Sequence, residues 1–499
     1  MSDQLLPADG RTSLSALEKS RTAQAIPLYL CPSDRAARAW KQRLLSRGES
    51  FLECMPVEQW LVTLWSRGQL FGLLHEPRDL IDPAACSALW RQIVGQVSDL
   101  VAPERTRVAG LAEDAWMLAV RHGFPMQQLS SLSVGDDNLA LFASCATRMN
   151  RRLRECNALT RAELPGALVA HGTALTPILP ARIVLTPSFS SDPALQRLWA
   201  AFRELGVAVE AVTLDGTTPS APEVSVFADH TQEMNAALDW ATTELARSSD
   251  ASVAIIVPDL AMNRSIWLRA LRTRFNSEAW WCDPSIDRDC FNLSVGDTLA
   301  TVPHIASLFT LLRADSSEQD TEVLAQALLQ SCWGRSPQSQ RDISQKQRDL
   351  LERGMDRSVL ADWKSIPAFA TAIVASETRS EREQPRPLSR SVQRERLQQL
   401  TDALTESPWL ARSDLFQLEE TWSALLDRWQ QFDQWLAPLS WNDALSELER
   451  LAGQSTFQPK AGVARLQVMG LLESAGVPLD AARIVGLHDR VVPERLTPH

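Results

Sequence analysis

The apolar positions change period several times along the chain, and those changes set out its plan. Ile26–Cys31 is a short apolar run suited to a buried strand. The stretch after it reads as a helix capped by Ser33 or Asp34, running to about Arg47 and stopped at Gly48. From residue 56 to 170 the spacing is helical throughout. Val57, Trp60, Leu61 and Leu64 share one face, as do Leu89, Ile93 and Val97, and Pro83, Pro103 and Pro125 punctuate the segment. A strand pattern returns at 181–189, broken at Pro187. A helix over Asp192–Leu205 and a strand over Val207–Leu214 follow. Residues 215–222 are a turn-rich linker.

The same plan then repeats. Glu223–Asp229 alternates as a strand, and Gln232–Arg247 carries Met234, Leu238, Ala241 and Leu245 on one helical face. Residues 252–259 are the clearest buried strand, followed by a helix over Ala261–Phe275. Residues 291–314 start as a loop and end in a helix, and 315–462 form a second helical insertion. Within it, 334–396 is rich in Gln, Arg, Ser and Glu and is expected to pack loosely. The pattern closes with a strand over Ala464–Met469, a glycine-bounded turn over Gly470–Gly476, and a last strand over Ala481–Leu487, apolar enough to need cover on both faces. The fold class predicted is α/β: one lobe from 25–55 and 171–214, interrupted by 56–170, and a second from 223–314 and 463–499, interrupted by 315–462. Residues 1–24 read as a flexible tail.

Composition alters this picture little. The net charge of −11 argues against nucleic-acid adhesion by the whole surface, though not by a local basic face. The 8 cysteines include no CxxC pair and read as buried thiols of a reducing compartment. The polar start has no signal-peptide pattern and no run is long enough to span a membrane, so a cytoplasmic protein is expected.

Chemistry was sought at the strand ends. A nucleotide-hydrolysing motor needs a glycine-rich phosphate cradle with a lysine. No Gly-Lys pair occurs, and the first strand-to-helix turn reads Cys31-Pro32-Ser33-Asp34-Arg35, where proline removes a donor and Asp34 repels phosphate. Such a motor also needs a strand-end carboxylate for Mg²⁺, but Leu185 is followed by Thr186-Pro187-Ser188. A two-metal nuclease motif is likewise missing: Asp259 follows a good strand without the Glu-x-Lys that should come after it. No catalytic residue, metal site or cofactor is therefore expected. Arginines crowd three helices, at 35, 38 and 43, at 148–154 and at 264–274, and are open to two readings, phosphate contact or solvated helix faces. Tryptophans 60, 90, 116, 240, 422 and 429 fall at helical spacing and read as core rather than base-stacking platforms.

Three blocks carry a family resemblance: LYLCPSDRAARAWKQRL (28–44), FNLSVGDTLATVPHIASLFTLL (291–312) and LQVMGLLESAGVPLDAARIVGLHDRVVP (466–493). They resemble superfamily 1 helicases of the UvrD type and, more closely, AddB-like DNA repair proteins of the PD-(D/E)XK nuclease family. The likeness implies two RecA-like lobes that have lost ATPase function and serve a helicase–nuclease in double-strand-break repair. It also implies single-stranded or duplex-end DNA and an AddA-like helicase as partners, with no membrane. In active helicases the third block carries a Thr-x-His and a Lys-Gly; here those places hold Gly470, Leu472, Ala475 and Gly476. Relatives continue into a C-terminal nuclease domain, and this chain reaches His499 without that motif, so a split or longer protein is one expectation and a DNA-free protein scaffold another. The residues expected at DNA are Ser33, Arg35, Arg38, Ser188, Asp259, Gly470, Gly476 and His488, on the strand-end loops.

Overall fold

The structure, a computed structural model, describes residues 26–46, 48, 52–129, 136–186, 192–212, 222–247, 251–275, 291–294, 296–315, 317–330, 336–366, 387–404, 413–457 and 464–488. It is α/β, and it divides into two compact units, Met1–Ser294 with Gly462–His499, and Val295–Ala461.

The first unit holds two parallel sheets. Strands β1 (Leu28–Cys31), β2 (Glu53–Pro56), β3 (Arg182–Leu185) and β4 (Ala208–Ala211) form one, in the order β2-β1-β3-β4. Leu28 pairs with Glu53 on one side and Ile183 on the other, so the chain on either side of the helical segment meets in one ladder. Side chains alternate across β1 as a strand requires. Leu28 and Leu30 join a core with Trp60, Leu61 and Leu64 of helix Val57–Leu70 and with Leu198, Trp199 and Phe202 of helix Pro193–Glu204. Tyr29 and Cys31 face the opposite helix, Asp34–Ser46, through Ala36, Ala37, Trp40 and Leu44. β2 escaped the sequence reading because Glu53-Cys54-Met55-Pro56 has no apolar alternation; it is an edge strand held by its backbone.

The intervening helices start and stop where the sequence marks them. Asp82 caps helix Pro83–Val97 through the Ala84 amide at 2.8 Å, and Asp136 caps Asp137–Glu155. Gly123, at φ 72°, ends Ala102–His122 in the left-handed conformation that favours glycine. The segment is not wholly helical: Asp79–Leu80 and Ala158–Leu159 form a short parallel ladder. Trp60, Trp90 and Trp116 are buried, as core packing predicts.

The second sheet comprises β5 (Val253–Ile256), β6 (Phe291–Leu293), β7 (Leu466–Met469) and β8 (Ala481–Ile484), ordered β8-β5-β7-β6 and parallel. Three expectations are corrected here. Glu223–Asp229 is not a strand: it joins no ladder among the described residues, and Val224 and Val226 are 83% and 93% exposed. Phe291–Leu293, expected as loop, pairs with Leu466–Val468; three residues are too few to show a period. The last strand ends at Ile484 and lies at the sheet edge, so its burial alternates instead of being complete on both faces.

The second unit is mainly helical. Helix Pro303–Ala314 buries Leu308, Leu311 and Leu312, and Phe309 meets Trp422 edge-on, 5.7 Å between ring centroids. Asp297–Thr298 pairs with Thr456–Phe457, and Gln319–Asp320 with Arg357–Ser358, as short antiparallel ladders. The expectation of loose packing over 334–396 does not hold for its described residues outside 367–386. Ile343 and Leu350 are buried on helix Pro337–Glu352, and the Arg390 side chain is 0% exposed at the start of helix Arg390–Leu404. Arg390 forks onto Glu447, with Nε and Nη2 donating at 2.7 and 3.1 Å, and Nη1 donates to the Ala437 carbonyl at 3.2 Å. Asp433 accepts from the amides of Arg390 and Ser391 and from the Ser391 hydroxyl. Burial raises the Asp433 pKa, but these hydrogen bonds and the Arg390 charge outweigh it and hold the carboxyl below its usual range.

Candidate functional site

Parallel sheets carry their binding loops at the carboxyl ends of the strands. The first unit holds two such sheets, and the helix that follows β1 is bonded to the second sheet and to the turn after β7. After β1, Ser33 Oγ accepts from the Ala36 amide at 3.2 Å and starts the helix, which brings Arg35 to its first turn. Arg35 Nη1 donates to Gln467 Oε1 at 3.3 Å, and Gln467 lies in β7 of the other sheet. Asn292 of β6 donates to the same oxygen at 3.0 Å. After β7, Gly470 starts a short helix, Leu471–Ser474, whose Glu473 carboxylate accepts from the Gly470 amide at 3.0 Å and from the Ser294 hydroxyl. Burial lowers the Arg35 pKa, the nearby Glu473 charge opposes that shift, and Arg38 adds to it.

A second tie runs alongside. Trp40 Nε1 donates to the Gly476 carbonyl at 2.8 Å, and Val477 packs on the core of Cys31, Ala36, Ala37, Trp40 and Leu44. Gly476 sits at φ 72°, a conformation costly for other residues, so the turn that presents its carbonyl to Trp40 depends on glycine. Gly470 has no such need: a Cβ there would meet Glu473 at 3.5 Å, an ordinary contact.

Between β1 and β3 the strand ends are closed. The Thr186 amide and hydroxyl both donate to the Leu30 carbonyl, at 3.0 and 3.1 Å. Burial pushes the neighbouring Cys31 thiol up to about 11, against a hydrogen bond with Thr186. A thiol of that pKa is about one part in a thousand thiolate at pH 8, and the thiolate is the nucleophile. Alkylation of the folded protein at pH 8 should therefore leave Cys31 unmodified while 6 M guanidinium exposes it; mass spectrometry showing equal labelling in both would refute the buried thiol.

The expected site residues do not form one surface. Arg35, Gly470 and Gly476 meet at the junction, and Ser33 supports it as a helix cap. Arg38 is exposed on the same helix. Asp259 starts the helix after β5 through its carbonyl, which accepts from the Met262 and Asn263 amides, and among the described residues no hydrogen bond links it to the junction. His488 is exposed beyond β8. Ser188 lies outside the described residues. Sequence reasoning missed Gln467, Asn292, Glu473 and Trp40. Gln467 carried a signal, a polar residue inside the apolar strand Leu466–Met469.

No protein-family model matches this chain, and no curated protein is similar to it. The site is therefore judged on its own chemistry. Among the described residues no group of three or more His, Cys, Asp or Glu could hold a metal ion, and no helix is long and apolar enough to cross a membrane. The arginine faces are partly neutralised: Arg151 and Arg152 both approach Glu155, at 3.7 and 3.6 Å, and Arg274 pairs with Asp239 at 2.6 Å. Such exposed pairs add only ~0–1 kcal/mol each, but they lower the local positive field.

Proposed function

We propose that this chain is an ATPase-inactive, helicase-like DNA-binding module serving double-strand-break repair in the cytoplasm beside an AddA-like helicase partner. The observation that carries this reading is the junction of Arg35, Gln467, Asn292 and Glu473. A nucleotide-driven machine needs strand-end donors free to cradle phosphates. Here the first-turn arginine is committed to a glutamine of the other sheet, and a carboxylate stands beside it, which disfavours a triphosphate. Arg38, exposed on the same helix, is placed to meet phosphates of a nucleic-acid backbone.

Fluorescence anisotropy with labelled single-stranded and duplex-end oligonucleotides tests this. Micromolar binding that weakens as salt rises is expected, from counterion release. ATP with Mg²⁺ should leave the affinity within about twofold, far below the ~1.4 kcal/mol that marks a tenfold coupling. No salt-dependent binding at micromolar protein removes the DNA reading, and a tenfold response to ATP removes the inactive one.

A scaffold that binds a helicase partner without touching DNA is the second reading. The net charge of −11 and the ion-paired state of Arg151, Arg152 and Arg274 favour it. Co-purification with such a helicase in the absence of oligonucleotide binding would decide for it.

A further inference from the structure

The second sheet ends at β8, whose outer edge pairs with no strand among the described residues. Ala481 and Val485 donate their amides inward, to the carbonyls of Ser252 at 3.3 Å and Ile256 at 3.0 Å. Successive residues of a strand point their amides to opposite sides, so the amides of Ala482 and Ile484 point away from β5. Neither makes a hydrogen bond to another described residue. Beside this edge lies the segment Glu223–Ala228, also without a hydrogen bond to any described residue, with Val224 and Val226 almost fully exposed.

Two contacts tie the carboxyl end of the segment to β8. The Arg483 guanidinium sits over the Phe227 ring, 5.8 Å from its centroid. A few residues on, Glu233 in the first turn of helix His230–Arg247 accepts from the Gly486 amide at 2.9 Å, just past the end of β8. The carboxyl end of the segment is thus near the carboxyl end of β8, as a parallel neighbour requires. With Phe227 and Arg483 on one face, a parallel pairing here would set Phe227 opposite Arg483, Val226 opposite Ala482 and Ser225 opposite Ala481.

We propose that this segment is a strap that closes the sheet: Val224–Ala228 adds to the outer edge of β8 as a fifth parallel strand, with Val226 opposite Ala482. In that register the Phe227 amide donates to the Ala482 carbonyl, and the amides of Ala482 and Ile484 donate to the carbonyls of Ser225 and Phe227. Helix His230–Arg247 then becomes the crossover between the new strand and β5, the ordinary connection of parallel strands. Closure removes an open edge that would otherwise accept a strand from another chain. It also explains why Glu223–Asp229 alternates like a strand although it joins no ladder among the described residues. This inference is independent of the DNA-binding reading.

A register-specific cross-link in the full chain tests it. Directly paired parallel residues lie roughly 4.8 Å apart, inside the ~4.4–6.8 Å between Cα atoms that a disulfide spans. Ser225→Cys with Ala481→Cys should cross-link under mild oxidation at least about tenfold faster than Ser225→Cys with Ala482→Cys, whose thiols fall on opposite faces; mass spectrometry of the joined peptide separates it from links to the native cysteines. Equal rates for the two pairs, or no link in either folded variant, overturn the proposal. If the variants do not fold, amide exchange of the unaltered chain decides. Ala482, Ile484 and Phe227 should exchange at least about tenfold more slowly than Val226, whose amide points outward, whereas exchange of all four at the unprotected rate overturns it.

Discussion

Arg390→Ala should cost the second unit roughly 3–5 kcal/mol, the loss typical of removing one partner from a buried ion pair. The side chain is 0% exposed and holds Glu447, itself 10% exposed, in a two-point fork. Without it, Glu447 keeps only the Trp429 indole N–H, at 2.8 Å, and Asp433 loses the nearest positive charge, 3.6 Å away. Marginal domain stability is about 5–15 kcal/mol, so this one change removes a large fraction of it. For a unit of this size about 1 kcal/mol corresponds to ~2–4 °C in Tm, which puts the expected fall at roughly 6–20 °C in the calorimetric transition of this unit. Arg390→Lys should be intermediate, because an ammonium keeps the charge and loses the fork. Arg390→Met with Glu447→Leu should recover most of the loss, since the penalty lies in the stranded carboxylate more than in the absent pair. A loss below about 1 kcal/mol for Arg390→Ala would mean that water reaches Glu447 and that the network is not buried.

What could be read in the sequence, and what could not, follows from the range of each interaction. Val253–Ile256 was legible because a strand covered on both faces must be apolar along its whole length. Ser33 was legible as a cap, because a cap is a local bond between a side chain and an amide a few residues on. The edge strand Glu53–Pro56 was not legible, since a strand paired on one side through its backbone needs no apolar code. Arg390 was misread for a related reason. It lies in a stretch whose composition resembles a solvated loop, and its partners Asp433 and Glu447 are 43 and 57 residues away. The junction shows both cases. Arg35 and Gly476 were singled out at their strand ends, but only the fold sets Arg35 against Gln467, 432 residues on, and Trp40 against Gly476, 436 residues on.

That second pair carries the other large expected effect. Trp40→Ala should destabilise the first unit by roughly 3–5 kcal/mol, the range for truncating a buried large aromatic. Its ring fills the space among Ala36, Ala37, Leu44 and Val477, and its N–H meets the Gly476 carbonyl at 2.8 Å. Two smaller changes separate the contributions. Trp40→Phe keeps much of the ring and gives up the hydrogen bond, which is worth ~0.5–1.5 kcal/mol net. Gly476→Ala forces a residue with a Cβ into positive φ, at a cost of about 1–2 kcal/mol. If Trp40 and Gly476 act through one contact, the double variant should lose less than the sum of the singles, with a coupling of ~0.5–3 kcal/mol in urea unfolding. Strict additivity would show that Trp40 stabilises only its own sheet, and that the turn at Gly476 is held without it, by Val477 packing and by the Ala475 and Val477 amides bonded to Leu472 and Ser474. Coupling, by contrast, makes Trp40 the point at which the two sheets stabilise each other. Loosening it should then raise proteolytic cleavage within 470–477.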